Sequence, residues 1–142
     1  MLVYILYFLI IVLSVLIMEL IAIITHKYIM HGPGWWLHKS HHSKHTHRFE
    51  LNDIYFLFFS TPSIFCIIYG LIQSHAIVLS IGLGILCYGL IYLFLHDMFV
   101  HRRFGIKIST KNAYLKKIKK AHLIHHSTTT KKGATKFGFI TY

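Results

Sequence analysis

The stretch MLVYILYFLIIVLSVLIMELIAIIT, residues 1–25, carries one charge, Glu19, and shows no alternation of apolar and polar positions at helical period. An apolar run near the ~20 residues needed to cross a bilayer core is stable as a helix surrounded by lipid, with its backbone polar groups bonded internally. Two further blocks, residues 54 to about 72 and 76 to about 95, have the same character in a chain that is 55% hydrophobic. The expected fold is therefore an all-α integral membrane protein with three transmembrane helices, or four if the segment 115–126 dips into the interface. The first block has no Lys or Arg ahead of it, is too long for a signal-peptide core and is followed by no small-residue cleavage site, so it reads as a retained span. With 142 residues the chain suits a single domain, 1–142, and one site.

Three spans place the C-terminal ends of the first and third, and the start of the second, on one side of the membrane. All fifteen Lys and Arg, from Lys27 to Lys136, fall in segments assigned to that side. The positive-inside rule makes it the cytoplasmic side and leaves the N-terminus outside. That rule also accounts for the net charge of +11 without nucleic acid, for which there is no soluble basic module. The run Lys116-Lys117-Ile118-Lys119-Lys120 reads as a solvated face near anionic headgroups, or more sharply as a docking patch for an acidic electron carrier. Cys66 and Cys87 lie inside spans without CxxC spacing and read as packing residues. Trp35, Trp36, Tyr28, Tyr55 and Tyr92 flank span ends, where amphipathic rings favour the water-lipid boundary. Pro62 is expected to kink the second span, and Gly32-Pro33-Gly34 to turn the chain.

Ten of the thirteen histidines repeat two spacings: His26-x4-His31 and His38-x2-His41-His42, then His96-x4-His101 and His122-x2-His125-His126. The boxes thus occupy residues 26–42, 96–101 and 122–126, all on the proposed cytosolic side. Positions i, i+3 and i+4 of an α-helix lie within about 60° of residue i, so each HxxHH directs three imidazoles to one side. Residues five apart diverge by about 140° on the same helix. His26 and His31 are therefore expected to serve different ions, or the helix breaks near Gly32. Ten imidazoles exceed the needs of one ion and fit two with open positions, which predicts a cytosolic, histidine-rich helical cap holding a dinuclear site. His45, His47 and His75 read as ordinary satisfied side chains.

Only four carboxylates occur in the chain, so the Glu-rich recipe of soluble di-iron bundles is excluded. A ligating imidazole needs an acceptor for its other N–H, and Asp97, Asp53 and Glu50 are the candidates. Glu19 lies seven residues before His26 on nearly the same helical face; packing and lining a substrate path are equally open to it.

Four histidine boxes on one membrane face resemble the fatty-acid hydroxylase superfamily of membrane non-haem di-iron oxygenases. Within it, "MELIAIITHKYIMHG" into "HKSHH", then "FELNDIY", "YLFLHDMFVHRR", "YLKKIKKAHLIHH" and "FGFITY" are similar in order and spacing to the bacterial β-carotene hydroxylases, the carotenoid 3-hydroxylases. All ten boxed histidines match that family's ligand boxes. The resemblance implies two iron ions, O2 as co-substrate, electrons from a reduced ferredoxin-type carrier, and hydroxylation of β-ionone rings, taking β-carotene through β-cryptoxanthin to zeaxanthin. Rival readings are a related di-iron oxidase acting on a fatty acyl, sterol or sphingolipid chain, a carotenoid 4-ketolase, or, from a different class, a non-enzymatic membrane metal carrier.

Overall fold

In the computed structural model, which describes residues 1–43, 49–105 and 107–142, every regular element is helical. His45 and His47 lie outside these residues. In chain order the elements are α1 (Leu2–Ile24), a π-helical segment π1 (Thr25–Met30), a single turn α2 (Trp35–His38), α3 (Asp53–Ile72), α4 (Ala76–Tyr92), a second π-helical segment π2 (Leu93–Val100) and α5 (Ala113–His126). Three continuous helices are long and apolar enough to cross a membrane: Leu2–Met30, Asp53–Ile72 and Ala76–Val100. The first and third run past the ends expected from hydropathy because the π segments prolong them. Among the described residues no fourth helix is long and apolar enough: α5, capped at Leu115 N by the Asn112 side chain, has 14 residues and four lysines. That length is ~21 Å, against a bilayer core of ~30 Å.

The chain divides into two compact units, Met1–Met18 with Tyr55–Ile91, and Glu19–Ile54 with Tyr92–Tyr142. In the first, small residues let helices approach closely, the main source of association where lipid is as apolar as the side chains. A Cβ on Gly84 would stand 2.5 Å from Ser14 Cβ and 2.7 Å from Ile11 O, so α1 rests on α4 at that point. Gly82 and Gly70 do the same between α3 and α4, where a Cβ would meet Ile67 N at 2.9 Å and Leu79 N at 2.6 Å. Ser63 Oγ, next to Pro62 in a helix that continues through it, donates to Gly82 O at 2.8 Å. The turn between α3 and α4 closes with His75 N on Gly70 O and Ser74 at φ 50°; His75 itself is exposed. Outward side chains are apolar, with Phe8, Phe58 and Leu71 all more than 60% exposed, a surface that lipid covers without penalty. Cys66 and Cys87 are free thiols.

In the second unit the turn 31–34 follows π1. A Cβ at Gly32 would fall 1.8 Å from Tyr28 O, so glycine alone permits this reversal. Of the aromatic residues in this unit, Tyr28 and Trp36 are about 60% exposed. Trp35 and Tyr92 instead turn toward imidazoles, at ring-centroid distances of 5.1 Å from His31 and 4.4 Å from His96.

Candidate metal centre

The ten patterned histidines converge, and they do so as two groups of five. His26, His31, His38, His42 and His125 form one group; His41, His96, His101, His122 and His126 form the other. Within each group, one nitrogen per ring lies within 4.8 Å of every other.

The π segments explain the x4 spacing. Their i→i+5 bonding stacks residue i+5 above residue i, and the defining bonds are those of the histidines themselves: His31 N to His26 O at 3.0 Å and His101 N to His96 O at 2.9 Å. His26 and His31 therefore share a group without a break in the helix, and so do His96 and His101. The expectation of different ions assumed α-helical geometry, which the chain abandons here.

The HxxHH boxes split in a regular way. Residues i and i+4 are about 40° apart on an α-helix, whereas adjacent residues are about 100° apart. On α5, His122 and His126 accordingly join the second group and His125 the first; where α2 ends and the chain continues in i→i+3 turns, His38 and His42 join the first group and His41 the second. Each half of the sequence thus gives four imidazoles to one group and sends its i+3 histidine across to the other.

Proton positions follow from the outer partners. In the first group every Nδ1 faces an acceptor: His26 on Phe137 O (3.0 Å), His31 on Lys131 O (3.2 Å), His38 on Asn52 Oδ1 (2.6 Å), His42 on Thr128 O (2.7 Å) and His125 on Thr135 O (2.9 Å). A carbonyl cannot donate, so each Nδ1 carries the proton and each Nε2 keeps its lone pair. These lone pairs meet head to head, His26 and His42 against His38 and His31 against His125, all at 3.2 Å. Two lone pairs at that distance repel, and a cation between them converts the repulsion into coordination. In the second group His41 Nδ1 donates to Glu50 (2.8 Å) and His96 Nδ1 to Asp97 (2.7 Å). Their Nε2 atoms approach to 2.9 Å, those of His101 and His122 to 2.8 Å, and His126 Nε2 is buried without a hydrogen-bond partner. The donor set fits a metal ion in each group.

Burial is the main force on the imidazoles. It holds His38 down to about 3, His42 and His125 to about 4, and His126 to about 2. It also lowers His31, His41 and His122, and neighbouring imidazoles push His41 and His122 further. These seven rings are thus neutral at physiological pH, as ligation requires.

Of the carboxylates singled out in the sequence, Glu50 and Asp97 touch imidazoles. Asp53 stands one step behind, accepting from Glu50 N at 3.0 Å and pairing with Arg103, which also lies 3.6 Å from Asp97. Asn52, inside "FELNDIY", is an acceptor that the sequence does not mark, because an amide carries no charge. The four carbonyls between Thr128 and Phe137 leave no trace in a sequence at all. Tyr92, expected from the sequence at the water-lipid boundary, brings its hydroxyl to 3.5 Å from His96 Nε2.

Comparison with known proteins agrees with this geometry. The fatty acid hydroxylase family matches residues 11–142. A β-carotene hydroxylase of Paracoccus sp. is 42% identical over 94% of this chain and 82% of its own length, and one of Pantoea ananas 41% over 93% and 75%. A chloroplastic β-carotene hydroxylase of Capsicum annuum is 37% identical over 78% of this chain and 37% of its own. No solved structure matches. With its ten histidines gathered and nearly its whole length matched, the chain belongs to the fatty acid hydroxylase family, where it groups with the bacterial β-carotene hydroxylases.

Proposed function

We propose that this protein is a β-carotene 3-hydroxylase: a membrane non-haem di-iron monooxygenase that inserts one atom of O2 into a C–H bond of the β-ionone ring. The observation that carries the reading is the pair of five-imidazole groups in a chain 42% identical over 94% of its length to a β-carotene hydroxylase. Two electrons from a ferredoxin-type carrier and two protons reduce the second oxygen atom to water, which balances the reaction.

In this reading His26, His31, His38, His42 and His125 hold one iron, and His41, His96, His101, His122 and His126 the other. The metals supply O2 activation; the protein fixes ligand tautomer and direction, with Asn52, Glu50, Asp97 and backbone carbonyls on the Nδ1 side. Phe137 and Phe139 wall the centre with apolar surface, Phe139 lying parallel to the His26 ring (7°) and edge-on to His96 (84°). A carotenoid is an apolar rod dissolved in the bilayer, so a wall of rings and imidazoles at the ends of membrane helices suits entry of its ring with the polyene left in lipid. The histidines face the cytoplasm and the N-terminus lies outside, because all fifteen Lys and Arg belong to the segments of the second unit.

The test is the pigment profile of a β-carotene-accumulating bacterium expressing the chain, by chromatography with mass detection. β-Cryptoxanthin and zeaxanthin are the expected products. A C4 ketone makes the protein a ketolase, and unchanged β-carotene beside iron-loaded, membrane-inserted protein sinks the carotenoid reading.

A further inference from the structure

Glu19 is buried in α1 at 5% exposure. One of its oxygens, Oε1, accepts four hydrogen bonds from the C-terminal segment: Phe139 N at 3.0 Å, Ile140 N at 2.9 Å, Thr141 N at 2.8 Å and Thr141 Oγ1 at 2.9 Å. Three successive amides converge on one atom only if the backbone folds sharply. Gly138 makes that fold, since a Cβ there would lie 1.7 Å from Thr141 O. Just before it, Lys136 adopts φ 63°, a left-handed conformation that side chains rarely take. Tyr114 Oη donates to Ile140 O at 2.8 Å and ties the same turn to α5.

The hydrogen bonds from this anchored segment to imidazoles fall on the first group, while its Phe139 ring also packs edge-on against His96 of the second. Between Thr128 and Phe137 it supplies four of the five acceptors that orient the first imidazole group, those of His26, His31, His42 and His125. The second group takes its two identified outer acceptors from Glu50 and Asp97 instead. The segment therefore acts as a strap laid over one quintet, and Glu19 is its fastening.

We propose that Glu19 is a positioning residue chiefly for the first metal site, whose acceptor carbonyls the C-terminal strap supplies, with Gly138 as its necessary partner. The inference rests on the two-metal reading above. Glu19 need not meet metal, oxygen or substrate: its four bonds fix residues 139–141, those fix the Phe137 carbonyl, and that carbonyl holds the His26 ring. A carboxylate inside a membrane helix is thereby explained by a backbone it satisfies rather than by a substrate path.

The experiment measures iron per chain in the detergent-solubilised full-length protein, together with hydrogen exchange. The wild-type chain is expected to hold two irons; one or none overturns the two-metal reading itself. Glu19→Ala is expected to retain about one iron and to lose protection at the amides of residues 139–141 while residues 2–18 stay protected. Adding His96→Ala then removes the remaining iron, whereas adding His26→Ala leaves it. Glu19→Gln, which keeps an acceptor oxygen in place, restores close to two. Where Glu19→Ala yields no inserted protein, Gly138→Ala decides the matter, because it opens the same turn with every side chain of the anchor present and is expected to retain about one iron. Retention of both irons in these variants, or loss from both groups alike, overturns the proposal.

Discussion

Asn52→Leu isolates the contribution of an outer partner with least disturbance elsewhere. The Asn52 side chain accepts from His38 Nδ1 at 2.6 Å, and the two residues are 7% and 2% exposed, so no water replaces the lost acceptor. A buried N–H left unpaired costs about 1–3 kcal/mol. Removing such a partner lowers metal affinity about 10–100-fold, or about 1.4–2.7 kcal/mol, and the two estimates overlap. The assay is chelator stripping of the iron-loaded protein in detergent. With one iron in each group, as proposed, that of the first group is expected to leave at a 10–100-fold lower chelator concentration and that of the second at its wild-type position. Asn52→Asp gives His38 of the first group a carboxylate acceptor of the kind that Glu50 and Asp97 give the second, and is expected to hold iron at least as tightly as the parent. A wild-type stripping curve for the leucine variant, or equal weakening by leucine and aspartate, would refute the argument that the acceptor orients His38.

Gly32→Ala forces a methyl group to within 1.8 Å of Tyr28 O and is expected to displace His31 and abolish hydroxylation, read from the pigment profile. Gly84→Leu drives a side chain into Ser14 and Ile11 O and is expected to destabilise the first unit by about 1–3 kcal/mol, measured by unfolding in mixed detergent micelles. Acid should destabilise the metal-free protein. His38, His42 and His125 titrate near 3, 4 and 4 when folded against an ordinary 6.5, so the unfolded chain binds more protons between those values. Stability is then full above about pH 6.5, falls through the acid range, and reaches its floor below about pH 3; a flat melting temperature from pH 7 to 4 would contradict burial as the cause.

The membrane architecture was legible because lipid imposes one dominant demand. Blocks near 20 apolar residues have one stable placement, and the three spans follow from hydropathy with ends displaced only where π segments extend them. That the ten patterned histidines come together was legible for a similar reason: imidazoles repeated at fixed spacing in a chain poor in carboxylates leave few alternatives. What the spacing could not decide was its own geometry, because the same five-residue interval diverges on an α-helix and coincides on a π-helix. Only the backbone bonds from His31 to His26 and from His101 to His96 choose between them.

The sequence by itself determined which residues cross the membrane and which imidazoles are available, since both depend on side-chain chemistry and local period. The tertiary structure decided the partition into two quintets, the exchange of His41 and His125 between them, and the acceptors behind each ring. Those depend on contacts between residues up to 111 positions apart, such as His26 with Phe137, and many run to backbone carbonyls that every residue possesses. A carbonyl becomes a specific partner only through where the chain carries it, and here a single buried carboxylate, Glu19, fastens the segment that does the carrying.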